Sequence, residues 1–364
     1  MGRAAAGASA DPVGEVELPL SPLQEGLLFH LLMAGEGRDI YVQQAVVTLS
    51  GPLQPERMAD AARRVLEKFP NLRAGFRTDG ARTVQFIPEH FDVPWTYAEV
   101  RTPEELEAFI EEQRARPFTP DRPPLIRFGL ARVGEGDYRL VLTSELILLD
   151  GWSGGLLIGS LMEFYTDPAA EHARPVTPFT AYLDWVGGRD RQAALEAWRH
   201  ALSGFDTPAL LKPELLDRPA DLADAGEIHR PLPPGLIARL EALARDRGIT
   251  LGTVYQTAWG LLLMALTGRD DVVFGVSVSG RHPEVDGVES IVGLLFNTVP
   301  VRVQAGPADP LATVLERVQN AHADLFDHFH VTLTDIQQAT GLGTMFDTLF
   351  VFQNFPGIPT DRAF

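Results

Sequence analysis

The sequence of 364 residues has no cysteine, no long apolar run and no cluster of basic residues. Without cysteine the protein has no disulfide, thiolate zinc site or cysteine nucleophile, which fits a reducing compartment. No stretch of roughly 18 uncharged apolar residues occurs, and the segment from Met1 to Glu17 lacks an apolar centre, so we expect neither a membrane span nor a signal peptide. These absences predict a cytoplasmic protein.

The shortage of basic residues limits the kinds of partner. Lys and Arg together number 31 against 49 Asp and Glu, which gives a net charge of -18 at neutral pH. A surface that follows nucleic-acid phosphates needs clustered Lys and Arg, so we expect no nucleic-acid partner. The 45% of hydrophobic and 22% of charged residues are typical of a globular protein, and the length predicts two domains.

Hydrophobic periodicity predicts alternating strands and helices in both halves of the chain. A proline-rich stretch, Asp167 to Thr180, separates the halves. The turn Gly134-Glu135-Gly136 between two apolar segments predicts a hairpin. Further strands are predicted at Ile40 to Gly51, Leu72 to Thr78, Thr83 to Ile87, Asp271 to Ser277, Gly293 to Val303 and Phe346 to Gln353, and helices at Leu20 to Gly35, Gln54 to Phe69, Pro103 to Arg116, Gly235 to Arg247, Leu251 to Thr267, Pro310 to Asp327 and Leu333 to Thr340.

Six segments resemble, in the same order, the motifs of the condensation-domain family of non-ribosomal peptide synthetases. The resemblance implies an α/β fold of two chloramphenicol-acetyltransferase-like lobes that form a V with a central tunnel. It places the N-terminal lobe at residues 18–178 and the C-terminal lobe at 179–364, and we expect the C-terminal part to be truncated. The segments are "LSPLQEGLLFH" from Leu20, "FPNLRAGF" from Phe69, "LLDGWS" from Leu148, "YLDW" from Tyr182, "VSGRHPEVDGVESIVGLLFNTVPVRV" from Val278 and "MFDTLFVFQNFP" from Met345.

The family joins an amine on one carrier-protein thioester to the acyl carbon of another, and its motif for this step is written HHxxxDG. Here the stretch reads "ELILLDG", which puts Glu145 and Leu146 at the two histidines, and Asp150 and Gly151 at the last two positions. The family's second histidine serves as a base or stabilises charge beside the attacking amine. Leucine has neither a lone pair nor a titratable proton, so Leu146 cannot take that role.

Two interpretations of Glu145 stay open. A carboxylate in a semi-buried tunnel has a raised pKa and could serve as a base in place of histidine. Alternatively, because neighbouring residues of a strand point to opposite faces, Glu145 points away from the tunnel and has a structural role.

The resemblance implies roles for further residues. Arg73 and Asp150 are expected to form an ion pair that braces the turn, and Trp152 and Ser153 follow it at the tunnel. Asn297 and Thr298 resemble the family's tunnel-floor strand, where the asparagine orders backbone. No cofactor is expected on the domain itself, because the substrates arrive on phosphopantetheine arms of carrier proteins.

Other motifs favour ordinary structural explanations. His328 and His330 have the spacing of a metal-binding pair on a strand, but without convergent carboxylates we expect no metal. Gly154 and Gly155 lack the lysine of a phosphate loop and predict close helix packing. Ser153 has no histidine nearby in sequence to activate it as a nucleophile.

Two functions from different classes follow, so whether the chain is an enzyme stays open. The first is a catalytically impaired condensation-type domain that docks carrier proteins or a tailoring enzyme such as a cytochrome P450. The second is an active or atypical acyltransferase that forms peptide bonds mainly through proximity of its substrates. A third possibility is an engineered inactive variant. The loss of histidine at Leu146 favours the first.

Overall fold

The computed structural model describes residues 15–33, 41–79, 82–167, 176–211, 226–354 and 361–363. Strands and helices alternate through this part of the chain. In chain order they are β1 (Glu15–Leu18), α1 (Pro22–Met33), β2 (Val42–Ser50), α2 (Pro55–Lys68), β3 (Gly75–Asp79), β4 (Arg82–Pro88), β5 (Trp95–Glu99), α3 (Pro103–Ala115), β6 (Ile126–Gly134), β7 (Asp137–Glu145), α4 (Gly151–Thr166), α5 (Phe179–Gly187), α6 (Arg191–Ala201), α7 (Leu236–Arg247), α8 (Leu251–Thr267), β8 (Asp271–Val278), β9 (Asn297–Gln304), α9 (Leu311–Leu325), α10 (Leu333–Thr340), β10 (Leu349–Val351) and β11 (Asp361–Ala363).

The described residues fall into two compact units that are both discontinuous along the chain. The first unit takes its residues from Met1–Leu20, Tyr41–Thr180 and Gly357–Phe364, and the second from Ser21–Ile40 and Ala181–Pro356. The sequence placed one boundary near residue 178. The structure adds that α1 belongs to the second unit, whereas β11 belongs to the first because it pairs with β2.

A five-stranded sheet organises the first unit, in the order β11-β2-β7-β6-β5. Its centre is the predicted hairpin of β6 and β7, and the outer strands β11 and β5 join in parallel. Gly136 adopts a φ of +66° in the hairpin turn, a left-handed conformation that suits glycine. Helix α3 packs on one face of the sheet, where a side chain at Gly129 would meet the ring of Phe109 at 2.9 Å. The first unit also holds a three-stranded antiparallel sheet in the order β1-β4-β3.

The second unit is built on a three-stranded sheet in the order β10-β8-β9. Strand β8 lies in the middle and is almost fully buried, because helices α8 and α9 pack against this sheet. Its core contains Trp198, Leu263, Phe274 and Val303. Within the described chain no single helix is long and apolar enough to cross a membrane, and α7 and α8 meet that test only as a pair bent by 105°.

Most predicted elements are confirmed, and α10 has the predicted bounds. The predicted strand at Leu72 to Thr78 is wrong in its first part, since Pro70–Arg73 forms a 3-10 turn and the strand begins at Gly75. The predicted strand at Gly293 to Val303 begins only at Asn297. Strand β5 was not predicted. Strand β1 (Glu15–Leu18) was not predicted either, and residues 1–14 lie outside the described part.

The loop between β8 and β9 is held by close backbone contacts. The carbonyl oxygen of Leu295 accepts a hydrogen bond from the buried hydroxyl of Tyr182 at 3.1 Å. Gly280 lies against the same carbonyl, so that a Cβ atom there would be 1.7 Å from the oxygen. Arg281 donates to the carbonyl of Ile291 at 3.1 Å and ties the two sides of the loop together. Glycine is therefore required at position 280.

We predict that Gly280→Ala lowers the free energy of unfolding by about 2–3 kcal/mol, because the added methyl group forces two backbone segments apart. Urea unfolding followed by circular dichroism measures the loss. Gly343→Ala is the matched control, since nothing lies within 4 Å of a Cβ atom there. Equal unfolding midpoints for the two variants would contradict the close approach.

Candidate functional site

The residues from Glu145 to Gly151, here called the motif turn, connect the end of β7 to the start of α4. Ile147, Leu148 and Leu149 are buried and anchor the turn in the core of the first unit. The side-chain amide of Gln43 on β2 donates to the carbonyl oxygen of Leu149 at 2.9 Å. The backbone path is thus set by apolar burial and a strand-to-turn hydrogen bond.

Asp150 is the N-cap of α4. Its carboxylate accepts the backbone N–H of Ser153 at 2.8 Å, and its carbonyl accepts that of Gly154 at 3.0 Å. An aspartate at this position satisfies an otherwise unpaired helix donor and complements the positive end of the helix. Gly151 and Trp152 open the helix half-buried, whereas Ser153 is fully buried. Ser153 is therefore inaccessible as a nucleophile in this arrangement.

Leu146 directly follows the last residue of β7 and is half-buried. Its backbone N–H donates to the carbonyl of Tyr41 at 2.9 Å. The backbone N–H of Leu148 donates to the carbonyl of Glu145 at 3.1 Å. These bonds use backbone atoms alone, so they do not depend on the side chain at position 146. A different side chain can occupy this position without a change in the path of the turn.

Glu145 lies on the face of the sheet that α3 covers. In the strand register Arg127 on β6 is opposite Thr143 on β7, and Glu145 follows two residues later on the same face. Gln44 of β2 donates to the Thr143 hydroxyl at 3.0 Å and extends this polar row. Ser144 points to the opposite face. This placement agrees with the structural interpretation of Glu145.

Arg127 is the charge that faces Glu145. Arg127 is only 4% exposed and Glu145 only 2%. Arg127 donates to the carbonyl of Gln113 at 3.1 Å and lies over the ring of Phe118, 3.7 Å from its centre. Burial lowers the pKa of Arg127 to about 10, the positive charge of Arg116 lowers it as well, and the negative charge of Glu145 raises it. Glu145 therefore offsets part of the cost of burying this cation.

Sequence reasoning missed Arg127. A signal was available, because it is the one basic residue in the apolar run "LIRFGLA". A charged residue inside a buried strand needs a partner, since an isolated buried charge is costly. What the sequence did not show was which strand supplies that partner.

A small cavity of about 70 Å³ lies beside the motif turn. Its polar lining residues are Gln43 and Gln44 on β2, Ser144 on β7, and Asp150 in the motif turn. Asp150 is the single ionisable group among the lining residues, and its carboxylate already caps α4. The cavity can offer hydrogen bonds, but its described lining residues include no imidazole or amine for proton transfer.

Arg73 has contacts in the structure with residues other than Asp150, its expected partner. Its guanidinium lies over the ring of Phe91, 4.5 Å from the centre. Burial lowers the pKa of Arg73, and the negative charge of Glu67 raises it. The ion pair of Arg73 with Asp150 stays a prediction.

Asn297 and Thr298 open β9 in the second unit. The side-chain amide of Asn297 donates to the carbonyls of Phe329 at 2.9 Å and Val331 at 2.7 Å, and its oxygen accepts the N–H of Thr298 at 2.9 Å. All three contacts are with backbone. Asn297 therefore orders the segment around Phe329, and a place for the pair on a tunnel floor stays a prediction.

His328 and His330 have the spacing of a metal-binding pair. His330 is buried, and its Nδ1 lies 3.0 Å from the carbonyl oxygen of Asp327, to which it donates a hydrogen bond. The carboxylate of Asp327 lies 3.0 Å from Nε2 of His282. Across the described residues, no three His, Asp or Glu side chains are grouped to hold a metal ion.

Comparison with known proteins gives the chain a family. The model of the condensation domain matches residues 15–362. Chondramide synthase cmdD of Chondromyces crocatus is 32% identical over 405 residues, which takes in 97% of this chain. The chain spans only 10% of the length of that synthase.

Solved structures have the same fold. The X-domain from teicoplanin biosynthesis is 23% identical with a TM-score of 0.78, covering 94% of this chain and 78% of the other. A structure of the complex of the X-domain and OxyB from teicoplanin biosynthesis is 22% identical with a TM-score of 0.71, covering 99% of this chain and 78% of the other. The first condensation domain of the calcium-dependent antibiotic synthetase is 21% identical with a TM-score of 0.72, covering 94% and 82%.

We predict that Glu145→Gln destabilises the fold by about 3 kcal/mol, because it leaves the buried Arg127 guanidinium without its counter-charge. The penalty should fall as pH rises toward about 10, because Arg127 without the negative charge of Glu145 loses its proton at a lower pH than in the parent. Chemical unfolding at pH 7 measures the change. The matched control is the double variant Arg127→Met, Glu145→Leu, which should be within about 1 kcal/mol of the parent. A loss below about 0.5 kcal/mol for Glu145→Gln would show that the two charges are not coupled.

A second pair of variants separates the cap from the expected ion pair at Asp150. Asp150→Ala should cost about 1 kcal/mol through the lost N-cap, whereas Asp150→Asn should cost only a few tenths because asparagine also caps helices. Thermal unfolding distinguishes the two. If asparagine costs as much as alanine, the charge of Asp150 is required, and the ion pair with Arg73 gains support.

Proposed function

Because the chain belongs to the condensation-domain family of non-ribosomal peptide synthetases, we propose that it is a condensation-type domain without its acid–base step. In this proposal it serves as a docking module for carrier proteins that present peptidyl groups on phosphopantetheine arms. A tailoring enzyme, such as a cytochrome P450, is the second class of partner.

One observation carries the proposal: leucine at position 146. The register of the motif rests on Asp150, which is the N-cap of α4, and on Gly151, which is its first residue. The sequence has no histidine between His90 and His172, so no small shift of the alignment brings an imidazole into the motif. A positioned base typically contributes roughly 10² to 10⁴-fold in rate, which is the loss we infer here.

Glu145 is a poor replacement for the missing base. It is on the α3 face of the sheet, and its charge acts on Arg127. This supports a structural role for Glu145 over the catalytic alternative.

The docking role draws support from the fold comparison. The X-domain from teicoplanin biosynthesis has a TM-score of 0.78 to this chain, and that domain is known in a complex with OxyB. The fold is thus compatible with binding a separate protein. We carry this over as a proposal about the kind of partner and not about its identity.

The proposal predicts that the parent protein couples carrier-bound thioesters at least about 100-fold more slowly than Leu146→His. Donor and acceptor carrier proteins are loaded with aminoacyl groups, and the product is measured by intact mass. Leu146→Gln is the matched control, since it adds a polar group without a base. The histidine is restored at position 146 alone, because a histidine at 145 would stand beside the buried Arg127.

A binding measurement accompanies the rates. The parent and Leu146→His should bind the phosphopantetheinylated carrier protein of the same synthetase with equal affinity, since docking does not use residue 146. Coupling by the parent at the rate of Leu146→His would overturn the impaired-domain proposal and favour an active acyltransferase. Absence of binding to the carrier protein and to the cytochrome P450 of the same biosynthetic cluster would overturn the docking role.

A further inference from the structure

The second unit contains a cleft that the motif turn and the tunnel-floor residues do not use. It lies between α6, β9 and α9 and has a volume of about 120 Å³. A single water needs only about 10–15 Å³ by this measure, so the cleft has room for a small organic molecule. Its floor is apolar and buried, formed by Trp198, Leu202, Val318 and Phe329.

The two arginines at the rim have their charges neutralised within the fold. Arg302 binds both carboxylate oxygens of Asp271, at 2.9 and 2.7 Å, and also donates to the carbonyl of Ser203 at 2.8 Å. Arg317 pairs with Asp309 at 3.3 Å. An anionic ligand would have to compete with these carboxylates, so the cleft favours a neutral ligand.

His322 supplies the polar group of the cleft. The half-buried imidazole meets the ring of Phe329 edge to face, with 5.0 Å between ring centres. Among the described residues no group is within hydrogen-bonding distance of its two nitrogens. Burial lowers the pKa of His322, so the ring is neutral at pH 7 and offers one donor and one acceptor.

The geometry points to a binding site for a small neutral aromatic alcohol in this cleft, with the ring on the apolar floor and the hydroxyl bonded to His322. Apolar pockets with a few polar groups that fix orientation are the usual form of small-molecule sites. An aromatic ring in the cleft would meet the His322 imidazole and the small exposed part of Phe329, whereas Trp198 is 1% exposed and closes the floor beneath them. All the lining residues belong to the second unit, so the inference does not depend on the proposed function.

Three probes of one shape test the inference by titration followed by NMR: p-cresol, toluene and p-toluate. We expect p-cresol to bind more tightly than toluene by about two- to tenfold, the net value of one hydrogen bond. We expect p-toluate to bind most weakly. Tighter binding of p-toluate would overturn the neutral-ligand argument, and equal binding of p-cresol and toluene would overturn the role of His322. No binding of any probe would overturn the site itself.

Variants locate the binding. His322→Phe should reduce the p-cresol affinity about two- to tenfold and leave that for toluene unchanged, while His322→Gln should retain most of the p-cresol affinity because glutamine offers a donor and an acceptor. Ala321→Trp should abolish both by filling the cleft. His200→Phe, on the exposed side of α6, is the matched control and should change neither. Unchanged p-cresol binding in both His322→Phe and Ala321→Trp would place the ligand elsewhere and contradict the inference.

Discussion

The arrangement of the motif turn depends on the carboxylate of Asp150, which caps α4 where β7 has just ended. The cap fixes the first turn of the helix, and the bond from Gln43 to the carbonyl of Leu149 fixes the approach to it. Neither contact involves the side chains at positions 145 and 146. Because the turn is built from a cap, buried apolar residues and backbone hydrogen bonds, its shape does not depend on the side chains at positions 145 and 146.

The residue at position 145 also matters outside the turn. Arg127 is buried on the neighbouring strand, and a negative charge beside it lowers the cost of that burial. A histidine at the same position would be neutral or positive and could not provide this compensation. Residues 127 and 145 therefore have to be considered together, and the carboxylate that resembles a substitute base is better explained as a counter-charge.

Particular elements show how far the sequence could be interpreted. The β6–β7 hairpin was predicted because Gly134 and Gly136 flank a tight turn between two apolar strands. The helix predicted at Leu333 to Thr340 has those bounds in the structure, where Thr332 caps it. Strand β5 was missed because Trp95–Glu99 is short and half-exposed, so alternation is weak, and it is defined by parallel pairing with β6. The strand predicted from Leu72 starts late because Pro70 begins a 3-10 turn.

The sequence by itself determined the family and the α/β class, because these depend on residue identity and local spacing. Only the tertiary structure decided that α1 packs with the second unit, that β11 joins the first, and that Arg127 faces Glu145. The physical reason is that pairing between distant strands and burial of a charge depend on register across the sheet, which no local pattern along the chain specifies.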